Sequence, residues 1–201
     1  MRTPGQLLCD FHWVVPGEAA RSARIPALWL SQFLAANGIK SIINLHDSHP
    51  EFRWWWTEEK ACLKRGVRYL NATLDSRLLP TRAMLRELWD CFDRAQAPLL
   101  IKCSKGQDRV SLAMALYLIE RRGWTWRAMA EADAQFTRFR FLRFPRPEQR
   151  WLRHFPEFAR ENAKGAPIRD WVRTGYDPRA LAAWLEKRVG RGSFHGTYAD
   201  K

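Results

Sequence analysis

The sequence predicts an α/β fold in which a central, largely parallel sheet is flanked by helices, with further helices at the C-terminal end. Short apolar segments with strand patterns alternate along the chain with longer helical patterns, as expected when parallel strands are joined by helical crossovers. One of these strands leads directly into a glycine-containing loop and then a buried helix. With 201 residues the chain is long enough to bury the core that such a sheet needs.

The first half of the chain contains three strand patterns and two helical patterns. The strands cover residues 11–15, 39–45 and 67–71, and the helices cover residues 26–37 and 51–64. The second helix carries Trp54, Trp55 and Trp56. Three adjacent side chains cannot share one helix face. We therefore expect most of these rings in the core and at least one of them toward solvent, a partner or a cleft.

The second half continues the alternation and then becomes helical. A loop at 72–80 contains Asp75 and leads into a helix at 81–95. The strand at 99–101 ends in the glycine-containing loop, and a buried helix follows it. Further helices are predicted at 124–139, 148–162 and 178–189. The sequence thus predicts an α/β domain over 1–144, a helical extension packed on it over 145–189, and a flexible tail over 190–201.

The composition limits the partners and the compartment. The chain carries 34 basic and 21 acidic residues, a net charge of +13, which favours phosphate-rich partners. A generally basic set of cellular proteins explains this charge equally well. Four cysteines at irregular spacing form neither a metal motif nor a disulfide framework, which favours a reducing compartment. The N-terminus lacks the apolar segment of a signal peptide, and no apolar run is long enough to span a bilayer. These observations predict a soluble, cytoplasmic protein.

The stretch from Leu99 to Arg109 carries the clearest chemical signal. A short apolar strand ends at Cys103, a loop with a central glycine follows, and Arg109 stands at the start of the next helix. Loop amides and a helix N-terminus direct positive charge at one point, and an arginine can bind a tetrahedral anion from the side. Such surroundings stabilise a cysteine as a thiolate nucleophile. The predicted phosphate-binding residues are Ser104, Lys105, Gly106, Gln107, Asp108 and Arg109.

A plainer interpretation is that Cys103 is a buried structural thiol and Arg109 a surface charge. The spacing by itself does not decide between the two, because Cys62 and Arg68 are also six positions apart. Cys62, however, lies in a helical pattern and Arg68 in a strand pattern. Only Cys103 combines a preceding strand, a central glycine and a following helix, and this combination favours the nucleophile.

This stretch resembles the signature of the cysteine-dependent protein tyrosine phosphatase superfamily, in particular its compact dual-specificity-like bacterial members. The signature is His-Cys-x-x-Gly-x-x-Arg followed by Ser or Thr. Cys103, Gly106 and Arg109 match it, whereas Lys102 replaces the histidine and Val110 replaces the hydroxyl residue. The wider order of elements from 11 to 139 is also similar to the family, including an opening strand pair with an Arg-Ser before the first helix.

The resemblance implies a phosphomonoester hydrolase that works through a phosphocysteine and needs neither a cofactor nor a metal. Cys103 would attack phosphorus, and Arg109 would hold the equatorial oxygens. The family's acid is an aspartate on an upstream loop, and Asp75 occupies that place. We prefer Asp75 to Asp47 and Asp108 on this loop position. Asp75 could instead serve as a turn or capping residue before the helix at 81–95.

The expected partner is a phosphorylated substrate, either a phosphoprotein or a phosphorylated lipid or inositol. Lys102, Lys105 and the net charge would suit a substrate with more than one phosphate. Val110 keeps open a second class of function, a non-catalytic phosphate-binding module for phospholipid headgroups or RNA. Nucleic acid is otherwise the less favoured partner, and the sequence predicts no oligomeric state. The histidines form no metal set with paired carboxylates, so no metal site is predicted.

Overall fold

The structure is a computed structural model that describes residues 4–46, 49–137 and 145–197. The α-helices of these residues are α1 (Pro4–Leu8), α2 (Ala27–Ala36), α3 (Arg53–Leu63), α4 (Arg82–Arg94), α5 (Asp108–Arg122), α6 (Trp126–Ala134), α7 (Trp151–Ala163), α8 (Ile168–Thr174) and α9 (Pro178–Arg188). The strands are β1 (His12–Val15), β2 (Ala19–Ser22), β3 (Ser41–Asn44), β4 (Arg68–Asn71), β5 (Leu78–Leu79), β6 (Leu99–Lys102) and β7 (Gly196–Thr197). A single 3-10 turn, Pro147–Gln149, precedes α7.

The principal sheet has the strand order β1-β2-β6-β3-β4. β1 and β2 form an antiparallel pair, as the family resemblance implies, whereas β2, β6, β3 and β4 are parallel to their neighbours. The predicted class is therefore confirmed: the protein has a central, largely parallel sheet flanked by helices. Periodicity did not mark β2, because all four of its side chains are buried, including that of Arg21, and buried positions do not alternate with exposed ones.

The register of the parallel strands brings their last residues to one edge of the sheet. Ser22 pairs with Lys102, Lys102 pairs with Asn44, and Asn44 pairs with Asn71. The chain leaves β6 at this edge and enters the loop that begins with Cys103. Ligands of open α/β sheets bind beyond the carboxyl ends of the strands, so the predicted loop lies where a ligand site is expected.

The described chain falls into two compact units. The first consists of Met1–Thr73 and Asp90–Val110 and contains the principal sheet, α2 and α3. A buried apolar cluster packs these two helices against the sheet, and burial of each large apolar side chain contributes about 1.5–3 kcal/mol. Its members include Phe11, Ile25, Leu30, Leu34, Ile39, Ile42, Cys62, Val67 and Leu100.

The second unit consists of Leu74–Trp89 and Ser111–Lys201 and contains most of the C-terminal helices. The predicted helices at 148–162 and 178–189 correspond to α7 and α9. Aromatic rings of α7 pack edge-on against neighbouring rings: Phe155 lies 5.6 Å from Tyr176, and Phe158 lies 5.8 Å from Trp171 and 5.7 Å from Trp184.

Several short elements were not predicted. α1 and α8 have five and seven residues, too few to show a helical period. β7 lies in the segment predicted to be a flexible tail and pairs with β5, from Leu78 to Gly196. The helix predicted over 124–139 is α6, which ends at Ala134, and residues 138–139 lie outside the described residues. No helix in the described part of the chain is long and apolar enough to cross a membrane.

Candidate active site

The predicted loop connects β6 to α5, as the sequence pattern indicated. Cys103 directly follows β6 and is 4% exposed. Gly106 and Gln107 are buried, whereas Lys105 is exposed. α5 begins at Asp108, so Arg109 is the second residue of this helix. The structure therefore brings the predicted nucleophile, the loop and the start of a helix together in the first unit.

Gly106 allows the loop to lie directly against the segment that follows β2. Its φ is +66°, in the left-handed region that favours glycine. A Cβ at this position would lie 2.4 Å from the backbone nitrogen of Ala23 and 2.6 Å from the carbonyl carbon of Ser22. These atoms are backbone and cannot move aside as a flexible side chain would. The site therefore requires glycine for two independent reasons.

Arg21 in β2 holds the loop from beneath. Its side chain is fully buried, and Nη2 donates to the carbonyl oxygens of Gly106 at 2.9 Å and Gln107 at 3.4 Å. A trans peptide unit holds its C=O and N–H in opposite directions, so the amides of Gln107 and Asp108 point away from Arg21. An anion cradle needs amides that face outward in this way. The sequence predicted no role for Arg21, which is the arginine of the Arg-Ser that resembles the family.

Arg109 extends from α5 toward the end of β3. Nη1 donates to the carbonyl oxygen of Leu45 at 3.3 Å, and Nη2 donates to Ser104 Oγ at 3.4 Å. Both hydrogen bonds are at the long end of the usual range. The half-buried guanidinium is thus positioned between the sheet edge and the loop.

Lys102, which replaces the signature histidine, is part of a buried polar network. Its Nζ donates to Glu58 Oε2 of α3, and Tyr69 Oη donates to the same oxygen at 2.7 Å. Lys102 and Glu58 are 3% and 2% exposed. Burial lowers the pKa of Lys102 from its ordinary value, while Glu58 acts in the opposite direction. Burial, together with Glu58, raises the pKa of Tyr69, which keeps the hydroxyl protonated as a donor.

The three adjacent tryptophans of α3 lie in three different environments. Trp55 is buried, and its Nε1 donates to Asn71 Oδ1 at 3.1 Å. Trp56 is 43% exposed. Trp54 is half-buried, and the Arg24 guanidinium carbon lies 4.0 Å from its ring centroid. Trp56 faces away from the core, as expected for at least one ring. The expectation that most of the rings lie in the core is wrong, since only Trp55 is buried and adjacent helix positions point in different directions.

His46 lies two residues after β3, and the sequence predicted no functional role for it. Its ring is 5.5 Å from the rings of both His49 and Trp54. Burial, followed by the charges of Arg109 and Arg24, lowers the pKa of His46 to about 4. The imidazole is therefore neutral at neutral pH. The described residues contain no group of three or more potential metal ligands.

The residue after Arg109 has no hydroxyl, and the next residue donates its hydroxyl to a backbone oxygen. Val110 is fully buried. The hydroxyl of Ser111 donates to the carbonyl oxygen of Gln135 at 2.7 Å, within the second unit. Valine therefore stands where the family signature has a hydroxyl residue, and the hydroxyl of the neighbouring Ser111 binds Gln135.

The predicted acid, Asp75, belongs to the second unit. Its Oδ1 accepts hydrogen bonds from the backbone nitrogens of Arg77 at 2.6 Å and Leu78 at 3.0 Å, which is the turn role that the sequence left open. Its Oδ2 accepts no hydrogen bond from the residues that the structure describes. Of the other candidates, Asp108 begins α5 and Asp47 lies outside the described residues.

Comparisons with known proteins give matches among solved structures. No protein-family model and no curated protein matches the chain. The core catalytic domain of the PP-IP phosphatase SIW14 from S. cerevisiae superposes with a TM-score of 0.53 at 17% identity, over 90% of this chain and 94% of that one. A DUF442 protein from Shewanella putrefaciens CN-32 gives a TM-score of 0.56 at 17% identity, over 78% and 96%. PTPMT1 in complex with PI(5)P gives 0.52 at 20% identity, over 75% and 98%.

The chain has the fold of the cysteine-based phosphatases. At 17–20% identity the likeness is one of fold, and the roles of individual residues depend on the geometry of this chain. Within the phosphatase fold, the loop from Cys103 to Arg109 occupies the carboxyl edge of the sheet. Its shape is set by Arg21 and Gly106, two residues that do not themselves act as nucleophile or acid.

Replacing Gly106 with alanine should disrupt the loop of this phosphatase fold. We expect Gly106→Ala to abolish binding of inorganic phosphate and to lower the free energy of unfolding by more than the roughly 1–2 kcal/mol of left-handed strain, because the Cβ also meets backbone atoms. Calorimetric titration and urea unfolding measure both effects. Gly17→Ala is the matched control, since Gly17 has a φ of +70° but no atom within 4 Å of an added Cβ. Equal losses in the two variants would contradict the steric explanation.

Removing the charge of Glu58 should destabilise the first unit strongly. Glu58→Gln leaves the buried Lys102 ammonium uncompensated, and we expect a loss of about 3 to 5 kcal/mol in the free energy of unfolding. The double variant Glu58→Gln/Lys102→Met should recover much of that loss, because glutamine still accepts from Tyr69 and no buried charge remains. Glu59→Gln, at the adjacent position of α3, is the control. A double variant no more stable than Glu58→Gln would argue against a coupled pair.

Proposed function

We propose that this protein is a phosphomonoester hydrolase that acts through a phosphocysteine intermediate, as a tyrosine or dual-specificity-type phosphatase. The observation that carries the proposal is the loop itself. Cys103 stands at its base, Arg109 reaches across it, and Arg21 turns two of its carbonyl oxygens away from the face that an anion would occupy. This combination places positive charge around Cys103, which suits both a nucleophilic cysteine and a bound phosphate.

In the first step, the Cys103 thiolate attacks phosphorus, and the bond from phosphorus to the ester oxygen breaks. The loop amides and the Arg109 guanidinium stabilise the equatorial oxygens of the transition state. Asp75 donates a proton to the leaving oxygen, which departs as an alcohol. The products are the free alcohol and a phosphocysteine at Cys103. Two observations support this role. Asp75 lies in the loop after β4, and its Oδ2 accepts no hydrogen bond from the described residues.

In the second step, a water molecule attacks the phosphorus of the phosphocysteine. The Asp75 carboxylate accepts a proton from that water, and the bond from phosphorus to sulfur breaks. Inorganic phosphate and the Cys103 thiolate are released. Val110 offers no hydroxyl to assist departure of the thiolate, so we propose that this second step limits turnover.

Two other functions are supported by particular observations. Lys105 and the net charge of +13 favour inositol phosphates or phosphoinositides, and structural neighbours include a PP-IP phosphatase and PTPMT1 solved with PI(5)P. A non-catalytic phosphate-binding protein is favoured by two observations: Val110 has no hydroxyl, and the hydroxyl of Ser111 donates to Gln135. For either function we propose a reducing, cytoplasmic location, which would keep Cys103 reduced.

The first test is hydrolysis of para-nitrophenyl phosphate with a reducing agent and without metal. We expect turnover by the wild type and none by Cys103→Ser, because the serine hydroxyl is not ionised at neutral pH, while phosphate binding is nearly unchanged. Cys91→Ser is the control, since Cys91 donates to the Asn71 carbonyl away from the loop. Turnover that persists in Cys103→Ser would reject the phosphocysteine. Absence of turnover in both proteins, with phosphate still raising the melting temperature, would favour the binding protein.

Asp75 is tested by the dependence of rate on the leaving group. Asp75→Asn should slow the first step most for substrates with poorly acidic alcohols, such as phenyl phosphate, and least for para-nitrophenyl phosphate, because only the poor leaving groups need the proton. The asparagine oxygen can still accept from Arg77 and Leu78, so the turn is preserved. Asp177→Asn, which changes a similar capping aspartate of α9, is the control. The quantity to compare is kcat/KM, which reports the first step, because kcat reports the second step and should fall equally for all substrates. A uniform fall of kcat/KM across all leaving groups would reject Asp75 as the acid.

A further inference from the structure

The segment after β2 brings a second arginine to the loop. The backbone nitrogen of Arg24 donates to the carbonyl oxygen of Ser104 at 3.3 Å. The preceding residues Ser22 and Ala23 lie close enough to Gly106 to exclude a side chain there. Arg24 therefore begins at the rim of the loop. It follows the strand that holds the loop and is not part of the signature.

The guanidinium of Arg24 is oriented, but its hydrogen-bonding capacity is not used. It lies 4.0 Å from the centroid of the Trp54 ring, and its Nε is 3.9 Å from Glu58 Oε1, beyond hydrogen-bond distance. Among the described residues no partner accepts a hydrogen bond from this Nε. The Arg24 side chain is 35% exposed. An arginine stacked on an aromatic ring has a fixed plane, and its edge remains free to bind an anion with two parallel hydrogen bonds.

The charges around the loop also favour a further anion. Glu58 is shared by two cations, since Lys102 Nζ donates to it and Arg24 approaches it. Lys105 is exposed at the middle of the loop, and no ion pair joins it to another described residue. Both guanidiniums lie near His46, since Arg24 lies over the Trp54 ring, which is 5.5 Å from the His46 ring, and Arg109 donates to the carbonyl oxygen of the adjacent Leu45. Arg24 and Lys105 are thus two cations at the loop and its rim whose side chains donate no hydrogen bond to an acidic group among the described residues.

We propose that Arg24 and Lys105 form a second anion subsite beside the loop, and that the preferred ligand is a phosphate ester that carries a second phosphate close to the first. Arg109 and the loop amides receive the phosphate that is cleaved, while Arg24 and Lys105 receive its neighbour. Two neighbours position Arg24: the Trp54 ring stacks against its guanidinium, and the Glu58 carboxylate attracts its charge. This inference rests on the proposed function for the identity of the first site. The subsite itself requires binding only.

A structural role for Arg24 predicts a different result. If the guanidinium served only to balance Glu58, its loss would change stability and leave ligand preference unaltered. Binding must therefore be compared between ligands that differ in the second phosphate. Inorganic phosphate is paired with pyrophosphate, and 3-phosphoglycerate with 2,3-bisphosphoglycerate, so that two different spacings of the second phosphate are covered. All titrations use the full-length Cys103→Ser protein, which separates binding from turnover.

We expect the Cys103→Ser protein with no further change to bind at least one bisphosphate about tenfold or more tightly than its monophosphate counterpart, the advantage expected of one charge-assisted contact. Arg24→Gln and Lys105→Gln should each reduce this advantage, and Arg24→Lys should restore part of it. Trp54→Leu removes the stacking surface without changing any charge and should also reduce the advantage. Lys60→Gln, which removes the cation over Trp56 on the same helix, is the control.

The subsite is rejected if neither bisphosphate binds more tightly than its counterpart, or if the advantage survives in Arg24→Gln. Should Arg24→Gln not fold, as judged by its melting temperature, Lys105→Gln and Trp54→Leu decide the question in the same titrations. The two proposals fail separately. A bisphosphate preference without turnover by the wild type supports the subsite and rejects the hydrolase, whereas turnover without that preference supports the hydrolase and rejects the subsite.

Discussion

The close approach of the loop to β2 is the constraint on which the candidate site depends. At Gly106 the loop backbone lies so near Ser22 and Ala23 that a Cβ would be only 2.4 Å from the Ala23 nitrogen. Arg21 then bonds the carbonyl oxygens of Gly106 and Gln107 from inside the sheet. Because the parallel register of β2 with β6 fixes Arg21 opposite Ile101, the sheet itself determines where the loop amides point. Strand pairing in the sheet thus determines the shape of the loop from Cys103 to Arg109.

A second constraint comes from buried charge. Two ionised groups out of water are costly unless each has a partner of opposite charge and its remaining hydrogen bonds are satisfied. Lys102, Glu58 and Tyr69 meet this condition together, and they join the end of β6 to α3 and β4 directly before Cys103. The same carboxylate attracts Arg24, which stacks on Trp54 one turn earlier in α3. The lysine that replaces the signature histidine is therefore matched by Glu58 in α3, and this pair connects the start of the loop to that helix.

What the sequence could predict was limited by how local each signal is. β3, β6 and α5 were predicted because their apolar residues repeat within a few positions, and Cys103, Gly106 and Arg109 because they lie within seven residues of one another. Arg21 lies 85 positions from the carbonyl that it bonds, and Glu58 lies 44 positions from Lys102. No periodicity or spacing connects such pairs, since only the folded sheet brings them together. For the same reason β7 could not be expected opposite β5, and the commitment of Ser111 to Gln135 could not be seen from its position beside Val110.

Residue 110 separates the two classes of function that the loop supports. Every contact that shapes the cradle, from Arg21, Gly106 and Arg109, is independent of the side chain at 110, so binding of a phosphate does not require a hydroxyl there. In the proposed mechanism, a hydroxyl at this position would assist when the bond from phosphorus to sulfur breaks, because negative charge then develops on Cys103. Val110 would therefore slow this step in particular. A slow hydrolase and a binding protein would share the same loop, the same Arg109 and the same amides, and would differ in the rate of that step alone.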